Sequence, residues 1–262
     1  MLNILFWNLK RNSIEDYIVE FIAENNVDIA AFSEFDGIDF IKIEKKLKKM
    51  YRRIVLQKDG KVTLIAKTTF SVEVVQEQSR YNIYNIKTAV NDYLLAAIHL
   101  EDRKHYETED RVNTIQSLVA SIEEIEKSLK CSNTIVIGDF NANFCDEELL
   151  SKYAFNAVLF KRIIDKSELT NPHSLKKRRF YNPILHFISE DTDMYGSFYY
   201  EQGPKTPYWY CLDQVLVRKS LVNSINCVEY LKRTKTKELM KNRIPNREIS
   251  DHLPLLVSLL EV

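Results

Sequence analysis

Short apolar runs closed by single polar residues recur along the chain, and helical spacing is confined to a few stretches. Residues 2–7 (LNILFW) read as a buried strand. Ile14, Tyr17, Ile18, Phe21 and Ile22 then repeat at helical intervals behind Ser13, a candidate N-cap, until Asn25 and Asn26 stop the helix. Residues 28–33 (DIAAFS) return to a buried strand, and 40–49 predict a basic amphipathic helix. Strands are expected at 51–57, 61–67, 70–77, 81–89 and 93–99, with Asp59-Gly60 as a hairpin turn. The longest helix spans 108–129, with Val112, Ile115, Leu118, Val119, Ile122 and Ile125 on one face. A buried strand (TIVIG) follows at 134–138, and late strands at 196–201, 212–217, 225–231 and 253–260. Residues 145–195 carry no clear period and contain loops.

Hairpins mixed with crossover helices fit an α/β architecture: two packed mixed β-sheets flanked by helices, a four-layer αββα sandwich, in one domain over 1–262. The composition supports a full core, with 45% hydrophobic residues and only five glycines and six prolines, too few for long linkers. No apolar run approaches the ~18–20 residues of a membrane span, and no leader pattern precedes the first strand, so a cytoplasmic protein without membrane attachment is expected. The 37 basic and 37 acidic residues cancel, which removes a global field for polyanions and leaves only local patches. Cys131, Cys145, Cys211 and Cys227 show no CxxC spacing, so free thiols are expected rather than a zinc site.

The polar residues that close the apolar runs are chemically specific. Asn8, Glu34, His99, Asp139 and Asn141 follow strands, Asp213 starts one, and Asp251-His252 precede the last. Strand ends lie at the rim of a sheet, where rigid backbone can aim side chains into one cleft. Carboxylates and amide oxygens suit Mg²⁺ or Mn²⁺, and a His beside an Asp holds an imidazole in one tautomer. That combination fits hydrolysis of a phosphate ester.

The order Asn8, Glu34, His99, GDFN at 138–141, Asp213 and SDHLP at 250–254 resembles the endonuclease/exonuclease/phosphatase superfamily, from residue 4 to 257. The resemblance implies metal binding by Glu34 with Asn8 and Asp251, and Mg²⁺ as cofactor with Mn²⁺ as a substitute. It implies water activation by Asp139, phosphate contacts from Asn141 and His252, and Asp213 as the partner of His252. His99 matches the second histidine of the DNase I-like branch. Arg111 fits the helix after that histidine, as a phosphate contact or a structural ion pair. Lys10 departs from the abasic endonucleases, which carry an acidic metal ligand there.

For the substrate, three basic stretches stand out: Lys42–Lys49, Lys176–Arg179 (with Lys177 and Arg178 as candidate contacts) and Lys232–Arg243. Aromatic residues precede Asp213, and Tyr210 sits where abasic endonucleases line their nucleotide pocket. Basic groups with aromatic faces favour a nuclease acting on DNA or RNA. The alternative is a phosphatase or phosphodiesterase of a small or lipid-linked phosphate, such as an inositol phosphate or sphingomyelin.

Overall fold

The computed structural model describes residues 1–58, 60–164, 178–190, 195–203 and 206–261. Along the chain run strands β1 (Leu2–Asn8), β2 (Ile29–Ser33), β3 (Tyr51–Ile54), β4 (Val62–Lys67), β5 (Ser71–Glu77), β6 (Tyr81–Lys87), β7 (Asp92–His99), β8 (Thr134–Asp139), β9 (Ala157–Val158), β10 (Phe180–Tyr181), β11 (Phe198–Tyr199), β12 (Trp209–Tyr210), β13 (Asp213–Val217), β14 (Ile225–Tyr230), β15 (Met240–Lys241), β16 (Ile244–Pro245) and β17 (Leu255–Leu259). The α-helices are α1 (Glu15–Glu24), α2 (Phe40–Lys46), α3 (Thr108–Leu129), α4 (Glu147–Leu150) and α5 (Ile184–Glu190). Among the described residues, six strands form one mixed sheet in the order β14-β17-β1-β2-β4-β3. Seven form the other, in the order β5-β6-β7-β8-β13-β10-β9.

Side-chain alternation explains the layering. On β7, Leu95 and Ala97 join the core between the sheets, while Leu94, Ala96 and Ile98 join a second core under α3. Val136 of β8 and Leu216 of β13 follow the outer set, and Ile135, Ile137, Val215 and Val217 the inner one. Strands covered on both faces read as continuous apolar runs, which is how they appear in the sequence. α3 supplies Ile115, Leu118, Val119, Ile122 and Ile125 to the outer core. α1 packs Ile18, Phe21 and Ile22 with the first sheet, and Trp7 meets Phe21 edge to face at 5.6 Å. The two-sheet α/β sandwich expected from the sequence is the fold observed.

Several boundaries differ. Ser13 does not cap α1: its hydroxyl donates to the Gly37 carbonyl, and the helix begins at Glu15 with acids in its first turn. The strand expected at 51–57 ends at Ile54, and residues 55–61 connect it to β4; Asp59 of the expected turn lies outside the described residues. The strand at 196–201 shortens to the two residues of β11, paired with β12. No helix among the described residues is long and apolar enough to cross a membrane.

Candidate active site

Register and alternation together build the site. His99 pairs with Asp139, and Asp139 with Asp213, so the three side chains form a row across β7, β8 and β13. Each lies an even number of residues from an inner-core position on its strand, and therefore faces the space between the sheets. Neighbouring strands sit ~4.8 Å apart, a spacing at which polar side chains meet directly or through one water. Gly138 permits this register, because a Cβ there would stand 2.1 Å from the Ile98 carbonyl oxygen.

The first sheet supplies the opposite wall. Asn8 pairs with Ser33 in parallel register, which brings Glu34 beside it at the same sheet end. Glu34 has φ +51°, a left-handed conformation uncommon for a long side chain; such strain is concentrated at functional sites. Asn141 has φ +48°, which asparagine tolerates. The loop before β17 closes the site through its own hydroxyl. Ser250 Oγ donates to the Asn8 carbonyl at 2.7 Å and accepts from the His252 N–H at 3.0 Å. Trp7 Nε1 holds the His252 carbonyl at 2.8 Å.

His252 Nδ1 lies 2.7 Å from Asp213 Oδ2. Its Nε2 is 4.0 Å from Asp139 Oδ2, and His99 Nε2 approaches the same oxygen at 3.8 Å. Asp139 accepts from Asn8 Nδ2 at 3.1 Å and from the Asn141 N–H at 2.9 Å, so its orientation is set from two sides. Asn141 Nδ2 donates to the Leu100 carbonyl at 2.9 Å and keeps a second N–H. Burial lowers the affinity of the His252 imidazole for a proton, but Asp213 and then Asp139 outweigh it and push the pKa up to about 10. Burial pushes the Asp213 carboxyl up, against the attraction of His252. With two carboxylates facing one imidazole, the shared proton resides on His252.

The structure brings Asn8, Glu34, His99, Asp139, Asn141, Asp251 and His252 to the lining of one open cleft of about 1080 Å³. Asp213 stands behind His252, fully buried. Three of the other candidates fall elsewhere. Arg111 is buried, pairs with Glu148 at 2.6 Å and donates to the Asn141 carbonyl at 2.8 Å. It supports the loop carrying Asn141 instead of contacting substrate. Arg178 binds Glu126 at 2.6 Å. Arg218, the other arginine on Glu126, lies just past the far end of β13 from Asp213, so Arg178 is removed from the cleft. Tyr210 is not in the lining; it sits behind Phe198, with ring centroids 6.5 Å apart. Lys177 lies outside the described residues.

The described residues of the basic stretches singled out from the sequence do not line the cleft either. Lys42 and Lys46 pair with Asp16, and Lys237 with Glu20. The cleft's cations are Lys10, Arg11, Arg53, Lys58, Lys61 and Arg80, which come from separate segments and form no charge run in the sequence. Sequence reasoning also missed Ser197, whose Oγ accepts from the Asp213 N–H at 3.1 Å. It missed Tyr230, which donates to the Asp213 carbonyl at 2.7 Å. Neither carries a local sequence signal. Phe198, first of the aromatic residues noted before Asp213, has its ring 5.0 Å from that of His252.

Two groups of donors could hold a cation. Asp139, Asp213 and His252 cluster closely, but the 2.7 Å bond between His252 and Asp213 leaves no room for an ion between them. Glu34, half-exposed at the cleft floor with the Asn8 amide oxygen and Asp251 nearby, offers hard oxygen ligands of the kind Mg²⁺ and Mn²⁺ take while keeping several waters. Both carboxylates already face a cation: Lys10 Nζ lies 3.5 Å from Asp251 Oδ2, and Arg11 Nε 3.9 Å from Glu34 Oε2.

The chain matches the model of the Endonuclease/Exonuclease/phosphatase family over residues 3–252. No curated protein sequence matches it. Truncated Caenorhabditis elegans TDP2 superposes with a TM-score of 0.60 at 14% identity, over 99% of this chain and 97% of that one. D. rerio TDP2 complexed with single strand DNA product gives 0.61 at 12% identity, over 98% of each chain. An AP endonuclease from Archaeoglobus fulgidus gives 0.58 at 14% identity, over 99% of each chain. These likenesses show a shared fold, and with the near full-length family match they establish that the chain belongs to the Endonuclease/Exonuclease/phosphatase family.

Proposed function

We propose that the protein is a metal-dependent phosphodiesterase that hydrolyses DNA or RNA by in-line attack of water. The observation that carries this reading is one carboxylate, Asp139, held by two amide donors and faced by two imidazoles, one of them kept charged by a buried aspartate. His252, with its pKa near 10, is protonated at pH 7 and cannot serve as a general base there. The base is therefore Asp139, and at 3.8 and 4.0 Å neither imidazole Nε2 is hydrogen-bonded to it, so both face the cleft and can turn to phosphoryl oxygens. His252 Nε2 donates to a non-bridging oxygen as charge builds on it, and His99 and the second N–H of Asn141 add donors from the other sheet. Glu34, with Asn8 and Asp251, would hold Mg²⁺ or Mn²⁺, which supplies Lewis-acid neutralisation of the phosphoryl oxygens. The D. rerio neighbour carries single strand DNA product, and another neighbour is an AP endonuclease, which supports a nucleic-acid substrate.

The decisive test is a cleavage panel of supercoiled plasmid, single-stranded DNA, structured RNA and soluble inositol phosphates, each with Mg²⁺, Mn²⁺ or EDTA. Cutting of a nucleic acid that EDTA abolishes is expected. Glu34→Gln should raise the Mg²⁺ concentration needed for half-maximal rate by about 10- to 100-fold, because it removes a charged ligand. Phosphate release from the inositol phosphates alone would place the enzyme on the phosphatase side, and turnover unaffected by EDTA would remove the metal from the mechanism.

The pH profile follows from the His252 proton. That group is cationic below its folded pKa, so kcat/KM should decline as pH rises toward about 10, and a cation held at Glu34 would move the decline lower. Asp213→Asn withdraws the main stabilising charge while the imidazole stays buried, so the alkaline limb should shift down by at least one unit. An unchanged limb would show that His252 does not act as the cation.

A further inference from the structure

The two ends of the cleft differ in charge balance. Near His252, the cations face carboxylates: Lys10 meets Asp251 at 3.5 Å, and Arg11 meets Glu34 and Asp36 at 3.9 and 3.6 Å. Arg80 pairs with Glu101 at 3.4 Å. Elsewhere in the lining, Arg53, Lys58 and Lys61 are exposed and have no carboxylate partner among the described residues. Arg53 instead lies over the Phe35 ring, 5.2 Å from its centroid, which holds the guanidinium without neutralising it.

The main chain is anchored at Gln57, Lys58 and Lys61. Glu77 accepts from the Gln57 N–H at 2.9 Å and the Lys58 N–H at 2.8 Å, and the Lys61 N–H donates to the Ser79 carbonyl at 3.1 Å. Every one of these anchors uses main-chain groups of the 55–61 connection, so the lysine side chains remain available. β3, which carries Arg53, is two positions from β2 in the sheet, and Arg53 pairs with Ile65, which pairs in turn with Ala30, four residues before Glu34. Arg53 therefore stands at least two strand spacings, ~10 Å, from Glu34. Lys61 directly precedes Val62, the partner of Ser33, so it lies one strand from Glu34 and belongs with the cations near the scissile site. A cation at the position of Arg53 serves a phosphate other than the one being cut. In a chain of zero net charge, two exposed cations without an ion-pair partner among the described residues form a local anion site, the Glu77 carboxylate being turned to the main chain.

We propose that Arg53 and Lys58 form a second phosphate subsite, which binds the backbone of a polynucleotide strand at least one phosphate away from the scissile bond. This rests on the phosphodiesterase reading and narrows its substrate class, since an ester with a single phosphate has no group to place there. DNA and RNA share the chemistry, and the experiment separates them.

The test uses the Arg53→Ala/Lys58→Ala double variant, whose exposed side chains can be removed with little effect on folding. Binding of fluorescent single-stranded DNA and RNA of about 12 nucleotides is measured by anisotropy in EDTA, between about 50 and 200 mM salt. Hydrolysis of bis(p-nitrophenyl) phosphate with Mg²⁺ or Mn²⁺ is measured alongside. The double variant should bind at least one strand about tenfold more weakly, with the slope of log K against log salt shallower by about 1.4, or about 0.7 for each phosphate no longer neutralised. Its kcat/KM on the small diester should stay within about twofold of the unaltered protein, since that substrate lacks a flanking phosphate. Unchanged affinity and slope for both strands, or an equal loss on the small diester, would overturn the subsite. If the unaltered protein fails to cleave the small diester with either metal and also cleaves no nucleic acid, the phosphodiesterase reading falls, and the anisotropy still decides whether the wall binds a polynucleotide.

Discussion

His252→Ala should lower kcat by about 10³-fold and destabilise the fold in the same step. The catalytic loss reflects the missing donor at the developing phosphoryl charge, for which single preorganised donors are worth about 10²–10³ in rate and a full charge more. The stability loss has a different origin. Asp213 is fully buried and bonded to His252 at 2.7 Å, so truncating the imidazole strands a carboxylate in the core. Removing one partner of a buried pair costs about 3–5 kcal/mol, which corresponds to a Tm drop of about 10 °C or more at this chain length. Asp213→Asn/His252→Ala separates the two effects: the neutral amide removes the stranded charge, so Tm should recover most of the loss while kcat stays low. Differential scanning calorimetry and single-turnover cleavage read the two quantities. Full activity in His252→Ala, or recovery of activity in the double variant, would show that the imidazole is structural.

The same pair makes stability pH-dependent. The folded pKa of His252 lies above its ordinary value, so its contribution is complete below about 6.5 and declines as pH rises through about 10.

Asp139→Asn should be as damaging to turnover and far gentler to the fold. The substitution keeps the shape of the side chain and an acceptor for the Asn141 N–H, while removing the base and one of the two carboxylates facing His252. A loss of general-base catalysis lowers kcat by about 10²–10⁴-fold, or roughly 3–5 kcal/mol of transition-state stabilisation. The Tm should move by no more than about 3 °C. The two imidazole pKa values, followed by NMR, add a readout that a packing defect would not shift: His252 should titrate lower than in the unaltered protein, because Asp139 is the second carboxylate that raises it. A variant that turns over normally would assign the base elsewhere, with His99 the next candidate by distance.

The local pattern carried the architecture and most of the site. Apolar runs covered on both faces, the 108–129 period and the single polar residues at strand ends are properties of neighbouring positions, and they marked the sandwich and Asn8, Glu34, His99, Asp139, Asn141, Asp251 and His252 as cleft candidates. Such marks are legible because alternation and helical period act over a few residues. The pairing of His252 with Asp213 was implied by the resemblance alone. Its 2.7 Å bond depends on strand register and on a loop closing from the chain's other end.

Charge was decided at a longer range. Lys42, Lys46, Arg178 and Lys237 look like substrate contacts as runs of basic residues, yet each finds a carboxylate far away in sequence, in Asp16, Glu126 or Glu20. Arg111 turned inward for the same reason, meeting Glu148 under the Asn141 loop. The cations left facing the cleft are scattered from Lys10 to Arg80, and only sheet order assembles them. A residue's hydrophobicity determines its face within one element, whereas the partner of a charge is set by where separate elements pack, which no local window contains.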